Sequence, residues 1–576
     1  MLPEAKWNAS DKARLGGALR QPSTPPTTKR STPRLFALLL LVCLILAQIF
    51  HVFSSGTSRK VLPDLYEASV LELQAGLDAG VFTSVDLVRA YFARIEEVNI
   101  DGPGLRAVIE VSPSALKEAA ILDAERKRSG RRSLLHGIPV LLKDNIATSD
   151  GMNTTAGSYS LLGSIVPEDA GVVKKLRAAG AIILGKANLS EFSQARSQTL
   201  PVGWSGRGGQ TTNAYFPRAN ACGSSSGSGV AASIGLAAIT LGSETDGSIT
   251  CPSAVNNIAG IKPTLGLTSR AGVIPISMHQ DTIGPMTRSI ADGAIVLSII
   301  AGPDPNDNFT LAQPAVVPDF TQALKKDALK GRRIGVPRRV FMNNSITGND
   351  PSINIAFERA LLTLKELGAT IVDPADLPSA EEFSNRTYVV TRADMKYQLN
   401  EYFQALLENP SGVRSVADLI RFNDDHPELE KPEGFEDQTS LINMNASNGF
   451  DAEYFAGRAR NHDMGSTRGI DFVLNQFGLD ALVSPSAFVT TPAAVVGYPL
   501  VTVPLGFHPE NVTMIPMGDT VYPAPGMPFG LTFWGTKFTD FELIGFAYAY
   551  EQKTQTRLKR RAYPAAIPKT QLGDVM

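Results

Sequence analysis

The sequence predicts an α/β fold, because helical and strand patterns alternate along most of its 576 residues. Residues 136–145, HGIPVLLKDN, contain a short apolar strand that ends at Lys143. Residues 172–185, VVKKLRAAGAIILG, combine a helical pattern with a buried strand. Hydrophobic residues make up 43% and charged residues 19% of the chain, the balance of a folded globular protein. These observations predict one large α/β domain.

The pattern changes three times along the chain and predicts four segments. Residues 1–34 are rich in Pro, Ser, Thr, Lys and Arg without apolar periodicity, which indicates a disordered basic tail. Residues 35–53 form an apolar run that spans about 28 Å as a helix, enough for a transmembrane anchor. A linker over 54–64 and a large folded domain over 65–566 follow.

Local signals place individual helices and loops. Thr83 is the predicted N-cap of a helix that runs through Ile95, and residues 113–128 predict another helix. Residues 303–350 and 408–440 are richer in Pro, Asn and Asp, so they are predicted to be surface insertions.

Charge and composition exclude several functions. The 54 basic and 56 acidic side chains nearly cancel, which argues against a nucleic-acid partner. No Cys-x-x-Cys pair, His-Glu-x-x-His run or P-loop occurs, so neither a metal nor an organic cofactor is expected. Of the three cysteines, Cys43, Cys222 and Cys251, the last two are expected to be free buried thiols.

The segment from Ala221 to Pro252, ACGSSSGSGVAASIGLAAITLGSETDGSITCP, carries the strongest chemical signal. Its Gly/Ser run opens directly into the small apolar residues of a packed helix and strand, unlike a flexible linker. The turn Thr245-Asp-Gly-Ser248 follows that strand, and its backbone N–H groups can converge on a developing oxyanion. A serine here requires a base to become a nucleophile.

Two other serine motifs compete with this turn. Gly223-Ser-Ser-Ser-Gly227 matches G-x-S-x-G, which would make Ser225 the nucleophile of an α/β-hydrolase. That motif requires a preceding apolar strand, whereas NAYFPRANAC contains proline, arginine and two asparagines. Ser114 and Lys117 form a Ser-x-x-Lys pair inside a charged helix without companion motifs and are interpreted as structural.

Several long segments, taken in order, resemble the amidase signature family. They include GIPVLLKDNI, TTAGS at 154–158, GAIILGKANLSEF at 180–192, the serine-glycine run, GIKPTLGLTSRAGVIPI at 260–276, GYPLVTVPLGF and GMPFGLTFWG. The likeness covers nearly everything after residue 62, and SETDGS followed by Cys and Pro resembles the peptide-amidase branch. The resemblance implies a mixed central β-sheet surrounded by helices.

The resemblance also implies roles for particular residues. The catalytic lysine falls on Lys143, the bridging serine, held by a cis peptide bond, on Ser224, and the nucleophile on Ser248. The oxyanion donors would be the backbone N–H groups of Thr245, Asp246, Gly247 and Ser248. Thr250 stands where the family commonly carries an arginine, so no role of that arginine is carried over to this chain.

The implied activity is hydrolysis of a small-molecule or peptide amide through an acyl-enzyme. As general base, Lys143 must lose about three pKa units at a cost of roughly 4 kcal/mol, which burial at the strand end can supply. Asp144 is expected to be a structural orienting residue. The substrate pocket is expected to come from residues 380–480 and 510–530. The alternatives are a catalytically silent binding protein and an amidotransferase-type subunit.

Charges beside the apolar run predict its orientation. Close to the run, the basic residues before it are Arg20, Lys29, Arg30 and Arg34, and those after it are Arg59 and Lys60. The positive-inside bias therefore predicts a cytoplasmic N-terminus and a lumenal or extracellular catalytic domain. A cleaved signal peptide and a secreted protein are the alternative, but the leader is long and no Ala-x-Ala site follows the run.

Seven Asn-x-Ser/Thr sequons follow the run and suit a glycoprotein on the secretory route. They are at Asn153, Asn188, Asn308, Asn343, Asn385, Asn445 and Asn511. The first two lie in segments shared with the family and are expected to serve the fold.

Overall fold

A mixed sheet of eleven strands runs through residues 62–385, 387–485 and 490–576, the parts of the chain that the computed structural model describes. The strands in chain order are β1 (Val108–Val111), β2 (Pro139–Lys143), β3 (Ile182–Ala187), β4 (Trp204–Ser205), β5 (Gly209–Gln210), β6 (Ile239–Glu244), β7 (Ala259–Lys262), β8 (Thr282–Thr287), β9 (Arg333–Gly335), β10 (Thr370–Val372), β11 (Ala481–Pro485), β12 (Leu500–Phe507), β13 (Pro516–Met517), β14 (Thr520–Val521) and β15 (Pro528–Trp534). The sheet order is β1-β3-β2-β6-β8-β7-β12-β15-β11-β9-β10, and β4-β5 and β13-β14 form separate two-stranded pairs.

Parallel and antiparallel pairs both occur in this sheet. Strand β2 pairs in parallel with β3 and β6, and β9 pairs in parallel with β10 and β11. The remaining neighbours in the sheet are antiparallel. Every residue of β2, β3 and β6 is buried, as is usual where parallel strands are covered by helices. The predicted α/β fold with a mixed central sheet is confirmed.

Helices fill most of the connections between the strands. They are α1 (Val70–Asp78), α2 (Ser84–Val98), α3 (Ala115–Ser129), α4 (Gly171–Ala178), α5 (Ser226–Ile234), α6 (Thr250–Val255), α7 (Ile290–Ile300), α8 (Asn344–Thr347), α9 (Pro351–Glu366), α10 (Val389–Ala405), α11 (Val416–Asp425), α12 (Pro427–Glu430), α13 (Thr439–Asn445), α14 (Ala452–His462), α15 (Ile470–Phe477), α16 (Thr491–Ala494) and α17 (Asp540–Thr554). The predicted N-cap is confirmed, since Thr83 and Asp86 form a capping box at the start of α2.

One of the two predicted insertions contributes to the core architecture. Within residues 303–350, Ile334 and Gly335 are buried in β9, which lies between β10 and β11 in the sheet. Residues 303–350 are rich in Pro, Asn and Asp on both sides of β9, and only three residues of the strand pair with β10. The composition of this segment therefore gives no sign of the strand. Residues 408–440 contain α11 and α12 and reach the functional site described below.

Residues Leu62–Met576 form one compact unit. The predicted tail at 1–34 and anchor at 35–53 lie outside the described residues, as does most of the 54–64 linker. Among the helices that are described, none is long and apolar enough to cross a bilayer.

Candidate active site

Lys143 is the last residue of β2 and is fully buried. Its Nζ donates hydrogen bonds to Ser224 Oγ at 2.6 Å, to Ser243 Oγ at 3.0 Å and to the Ser243 carbonyl at 3.2 Å. Burial lowers the pKa of Lys143 to about 7, although the nearby carboxylates of Asp281 and Glu244 oppose this shift. An amine with this pKa is substantially neutral near pH 7 and can accept a proton.

Ser224 connects this lysine to a cavity. The peptide bond between Gly223 and Ser224 is cis, as the resemblance implies. The Ser224 carbonyl accepts a hydrogen bond from the N–H of Ser190 at 3.1 Å, which fixes the segment against the loop after β3. Because the Ser224 hydroxyl contacts Lys143 and the residue also lines the cavity, it can pass a proton between them.

Ser248 lies on a turn between β6 and α6. Gly247 has a φ of +86°, a conformation that glycine adopts without steric cost. Glu244, the last residue of β6, closes the turn by accepting hydrogen bonds from the N–H groups of Ile249 at 2.7 Å and Thr250 at 2.8 Å. The Thr250 hydroxyl also donates to Glu244 at 3.0 Å and so helps to fix the turn. This threonine occupies the position at which the family commonly has arginine.

The side chains of Thr245 and Asp246 attach the same turn to other segments of the chain. Thr245 Oγ1 donates to Asp281 Oδ1 at 2.6 Å. The Asp246 carboxylate accepts hydrogen bonds from the hydroxyls of Thr490 at 2.7 Å and Thr491 at 2.9 Å. With these contacts made by side chains, the backbone of the turn is fixed in one orientation.

A cavity of about 580 Å³ opens beside the turn. Its wall includes Ser224, Ser248, Thr245 and Asp246, whereas Lys143 lies behind Ser224. No atom of the described residues accepts a hydrogen bond from the N–H groups of Gly247 or Ser248. The predicted residues therefore come together around one cavity, except that Gly247 is not part of its wall.

The competing serine motifs lie elsewhere. Ser225 is fully buried, and its hydroxyl donates to the Ser243 carbonyl at 3.1 Å rather than facing the cavity. No histidine of the described residues lines the cavity, so a serine–histidine pair is not found there. Ser114 precedes α3 and donates to Glu118, and Lys117 is exposed, in agreement with a structural interpretation.

Asp144 organises the loop that packs beside the lysine. Its carboxylate accepts hydrogen bonds from Thr155 Oγ1 at 2.5 Å and the N–H of Gly157 at 3.0 Å, both in the TTAGS turn. Burial raises the pKa of Asp144, and the Arg207 guanidinium opposes that rise. The carboxylate contacts neither Ser224 nor Ser248 in these bonds, so its role is to hold the turn.

The outer wall of the cavity comes largely from α10, α13 and the loop between α12 and α13. Polar wall residues include Gln194, Gln198, Thr199, Arg392, Asp437 and Asn443, and apolar ones include Ile276, Met395, Met444 and Val495. Of the two expected pocket regions, 380–480 supplies wall residues between Thr387 and Asn461. No residue of the other region, 510–530, lines the cavity.

Arg196 joins this outer wall to the rest of the protein. Its Nη1 donates to Glu191 Oε1 at 2.7 Å and lies 3.5 Å from Glu430 Oε2, and all three side chains are buried. Its other nitrogens donate to the carbonyls of Phe435 at 3.1 Å and Asp437 at 3.3 Å. Burial and the facing carboxylate of Glu430 raise the pKa of Glu191. One arginine thus holds the segment that carries part of the cavity wall.

The expectation of free thiols at Cys222 and Cys251 is wrong, because these residues form a disulfide. Their Cα atoms are 5.9 Å apart, although 29 residues separate them. The chain leaves Cys222, passes through α5 and β6, and returns through the Ser248 turn into α6, which brings Cys251 alongside. On the chain-entropy account, closing a loop of this length stabilises the fold by about 3–4 kcal/mol.

Two of the seven sequons serve the fold. Asn188 is fully buried and donates to the carbonyls of Arg106 and Gly209 and to the Thr211 hydroxyl. Asn153 is half-buried, and its amide donates to the Glu110 carboxylate. The exposed sequons are Asn308, Asn343, Asn385 and Asn511.

Sequence reasoning missed several residues that build the site. Ser243 and Glu244 immediately precede the predicted turn, but their contacts depend on how the turn folds. Asp281 and Arg196 lie far from it in sequence and carry no local signal of their position. The described residues contain no group of three or more His, Cys, Asp or Glu side chains able to hold a metal, and the expectation of no cofactor stays a prediction.

Comparisons with known proteins identify a family and several relatives of this chain. The family model described as Amidase matches residues 86–544. A relative from Arthroderma benhamiae that is named an amidase is 40% identical, covering 87% of this chain and 88% of its own. The solved peptide amidase of Stenotrophomonas maltophilia is 40% identical with a TM-score of 0.77, covering 88% of this chain and 99% of its own. One component of the glutamyl-tRNA(Gln) amidotransferase of Chloroflexus aurantiacus is 33% identical, covering 87% of this chain and 99% of its own.

The Arg196 cluster gives a stability prediction. Arg196→Met leaves two buried carboxyl groups without their cation, so the free energy of unfolding is expected to fall by about 3–5 kcal/mol. The measurement is urea unfolding at pH 7. Arg338→Met, which removes ion pairs to Glu358 and Asp373 at the surface, is the matched control and is expected to cost less than about 1 kcal/mol. Equal losses in the two variants would contradict the role assigned to Arg196.

Proposed function

Because the chain belongs to the amidase family and is a hydrolase of carbon–nitrogen bonds in amides, we propose that it cleaves carboxamides through an acyl-enzyme on Ser248. The observation that carries this proposal is the 2.6 Å hydrogen bond between Lys143 Nζ and Ser224 Oγ, beside a cavity that Ser224 and Ser248 both line. A buried lysine whose pKa falls to about 7 supplies the base that a serine nucleophile needs.

The reaction uses these groups in two stages. Neutral Lys143 takes the hydroxyl proton of Ser224, which takes the proton of Ser248 as its Oγ attacks the amide carbon. Backbone N–H groups of the 245–248 turn stabilise the resulting oxyanion, a contribution of a few kcal/mol in other enzymes. The relay then runs in reverse to protonate the leaving ammonia or amine, and water hydrolyses the acyl-enzyme along the same path.

The cavity favours a peptide amide or another small polar amide as the substrate. Its volume of about 580 Å³ lies in the usual range for small-molecule sites. Side chains such as Gln194, Arg392 and Asn443 offer donors and acceptors to peptide groups. A long alkyl chain would bury these groups without partners, which is unfavourable. The peptide amidase of Stenotrophomonas maltophilia is a relative whose named activity agrees with this choice.

Two alternatives remain distinguishable from this proposal. An amidotransferase-type subunit would release ammonia efficiently only in complex with partner subunits, whereas the proposed enzyme hydrolyses its substrate alone. A silent binding protein would bind amides without forming an acyl-enzyme. The lower identity of the amidotransferase relative, 33% against 40% for the peptide amidase, supports the hydrolase.

We propose further that the catalytic domain is lumenal or extracellular, behind an anchor at residues 35–53. The charge bias around that run supports this orientation, and so does the Cys222–Cys251 disulfide, because disulfides persist in oxidising compartments. Glycosylation would fall on the exposed sequons.

Replacing the nucleophile tests the acyl-enzyme. Ser248→Ala is expected to abolish both amide turnover and covalent labelling by a fluorophosphonate, and Ser224→Ala is expected to lower both while the protein stays folded. Ser225→Ala is the matched control, since its hydroxyl bonds to the backbone of β6, and it is expected to remain active. An active Ser248→Ala enzyme together with an inactive Ser225→Ala enzyme would establish the competing nucleophile.

The pH profile tests the base. Only neutral Lys143 accepts a proton, so kcat/KM is expected to rise with pH through about 7 and level off above it. Lys143→Ala is expected to lose this limb and about 10²- to 10⁴-fold in rate. Asp281→Asn removes a carboxylate that raises the pKa of Lys143, so the limb should move to lower pH.

A histidine base would also give a limb that rises with pH. His279 lies next to Gln280 of the cavity wall, and its Nδ1 is 2.9 Å from Asp394 Oδ2, so His279→Gln provides the control and is expected to keep the limb. A Lys143→Ala enzyme that retains the wild-type rate and pH profile would exclude this lysine as the base.

Membrane vesicles test the topology. In intact vesicles the catalytic domain is expected to resist added protease, and glycosidase treatment after solubilisation is expected to lower its mass. Variants Asn343→Gln and Asn511→Gln should each reduce that mass shift, whereas the buried Asn188 should carry no glycan. A glycan-free domain digested from the cytosolic side would reverse the orientation, and a mature chain that begins after Phe53 would indicate a cleaved signal peptide.

A further inference from the structure

The disulfide joins the two segments that carry the proposed catalytic serines. Cys222 lies two residues before Ser224, and Cys251 lies three residues after Ser248. The bond therefore spans the two segments whose separation sets the distance between the two hydroxyl groups. Because each cysteine lies only two or three residues from its serine, the covalent link also limits how far the two serine hydroxyl groups of the proposed proton path can move apart.

Other contacts between the same segments are noncovalent. The N–H of Ser225 donates to the Ser248 carbonyl at 3.2 Å. The Asn256 amide donates to the carbonyls of Ala221 at 2.9 Å and Pro252 at 2.8 Å, so it also bridges the two segments. These bonds would keep the segments together if the disulfide were opened. Opening the disulfide would remove the covalent restraint between Cys222, at the edge of the cavity, and Cys251.

The cavity also gives access to the disulfide. Cys222 forms part of the cavity wall beside Gly223 and Ser224, and both cysteines are half-buried rather than enclosed in the core. Cys222 has a φ of +54°, in the left-handed region that side-chain-bearing residues seldom adopt. The link to Cys251 therefore restrains a backbone that lies in an unfavourable conformation, together with the hydrogen bond from the Cys222 N–H to Asn220 Oδ1 at 2.8 Å.

We propose, on the basis of the function proposed above, that the Cys222–Cys251 disulfide positions Ser224 against Ser248 and that a dithiol entering the cavity inactivates the enzyme reversibly. The dithiol thiolate attacks one sulfur, and its second thiol closes a ring and releases the other. The disulfide gains two electrons and two protons to give two cysteine thiols, and the dithiol becomes a cyclic disulfide. An oxidant of the disulfide class reverses the reaction.

The two cysteines are positioning residues and touch no reacting atom, so the test separates alignment from folding. Full-length Cys43→Ser enzyme, which leaves only the cysteines of interest, is treated with dithiothreitol and the free thiols are counted by alkylation and mass spectrometry. Reduction is expected to lower kcat and the fluorophosphonate labelling rate about 10- to 100-fold, as small misplacements of reacting groups do. KM is expected to change less than about twofold, since the outer wall is held by other contacts.

A matched variant tests the positioning without a reductant. The Cys43→Ser/Cys222→Ser/Cys251→Ser protein is expected to show the same lowered kcat, a normal KM and no response to dithiothreitol. Reoxidation of the reduced Cys43→Ser enzyme should restore kcat. Circular dichroism after each treatment establishes that the protein is folded. The final extent of fluorophosphonate labelling gives the fraction of sites that can react, called competent sites, and rates are expressed per competent site.

Several outcomes would overturn the inference. An unchanged kcat per competent site after full reduction, or a loss confined to the fraction of folded protein, would show that the disulfide only stabilises the fold. Resistance of the bond to dithiothreitol in folded enzyme would refute access through the cavity. Labelling of a Ser248→Ala variant would instead defeat the proposed function. An unlabelled Ser248→Ala variant beside a reduction-insensitive enzyme would defeat the disulfide inference alone.

Discussion

The removal of the Lys143 amino group from water is the constraint on which the rest of the site depends. Lowering its pKa from 10.5 to about 7 corresponds to a cost of about 5 kcal/mol in the protonated form. The carboxylates of Asp281 and Glu244 moderate that cost, because they lie close enough to stabilise the charge without forming an ion pair with it. The hydrogen bonds to Ser224 and Ser243 satisfy the amine and leave it aimed at the proposed proton path.

The sheet makes this burial possible. Parallel pairing on both sides of β2 places the lysine deep between β3 and β6, where helices and the TTAGS turn exclude water. Asp144 holds that turn, and Glu244 fixes the Ser248 turn at the end of the neighbouring strand. Each of these buried carboxyl groups accepts backbone hydrogen bonds, which offset the cost of burying a polar group. The chemistry and the fold thus use the same polar network.

The part of the cavity that is proposed to select the substrate lies outside this network. The outer wall belongs to α10, α13 and the loop before α13, and Arg196 and Glu430 attach that loop to the sheet side of the cavity. The buried Arg196 cluster and hydrogen bonds from Ser197 and Thr199 to Asp437 attach this loop, and none of these contacts involves Lys143. Under the proposed function, the inner residues carry out amide cleavage and the outer wall selects the acyl group.

The sequence by itself determined the parts of the site that have a local signal. The apolar run IPVLL predicted a buried strand ending at Lys143, and glycine in SETDGS predicted the turn at Ser248, while Ser224 followed only from resemblance to a family. The helix starting at Thr83 and the α/β class followed from periodicity and capping, which are properties of neighbouring residues.

Only the tertiary structure decided the contacts between distant segments. Pairing of Cys222 with Cys251, the carboxylate of Asp281 behind the lysine and the Arg196–Glu430 attachment join residues with no periodic relation. The short strand β9, concealed within a polar run, gains its place from pairing with β10 and β11. Such contacts are decided by the packing of the whole chain. A single segment does not bury enough surface or satisfy its polar groups until its partner segment is in place.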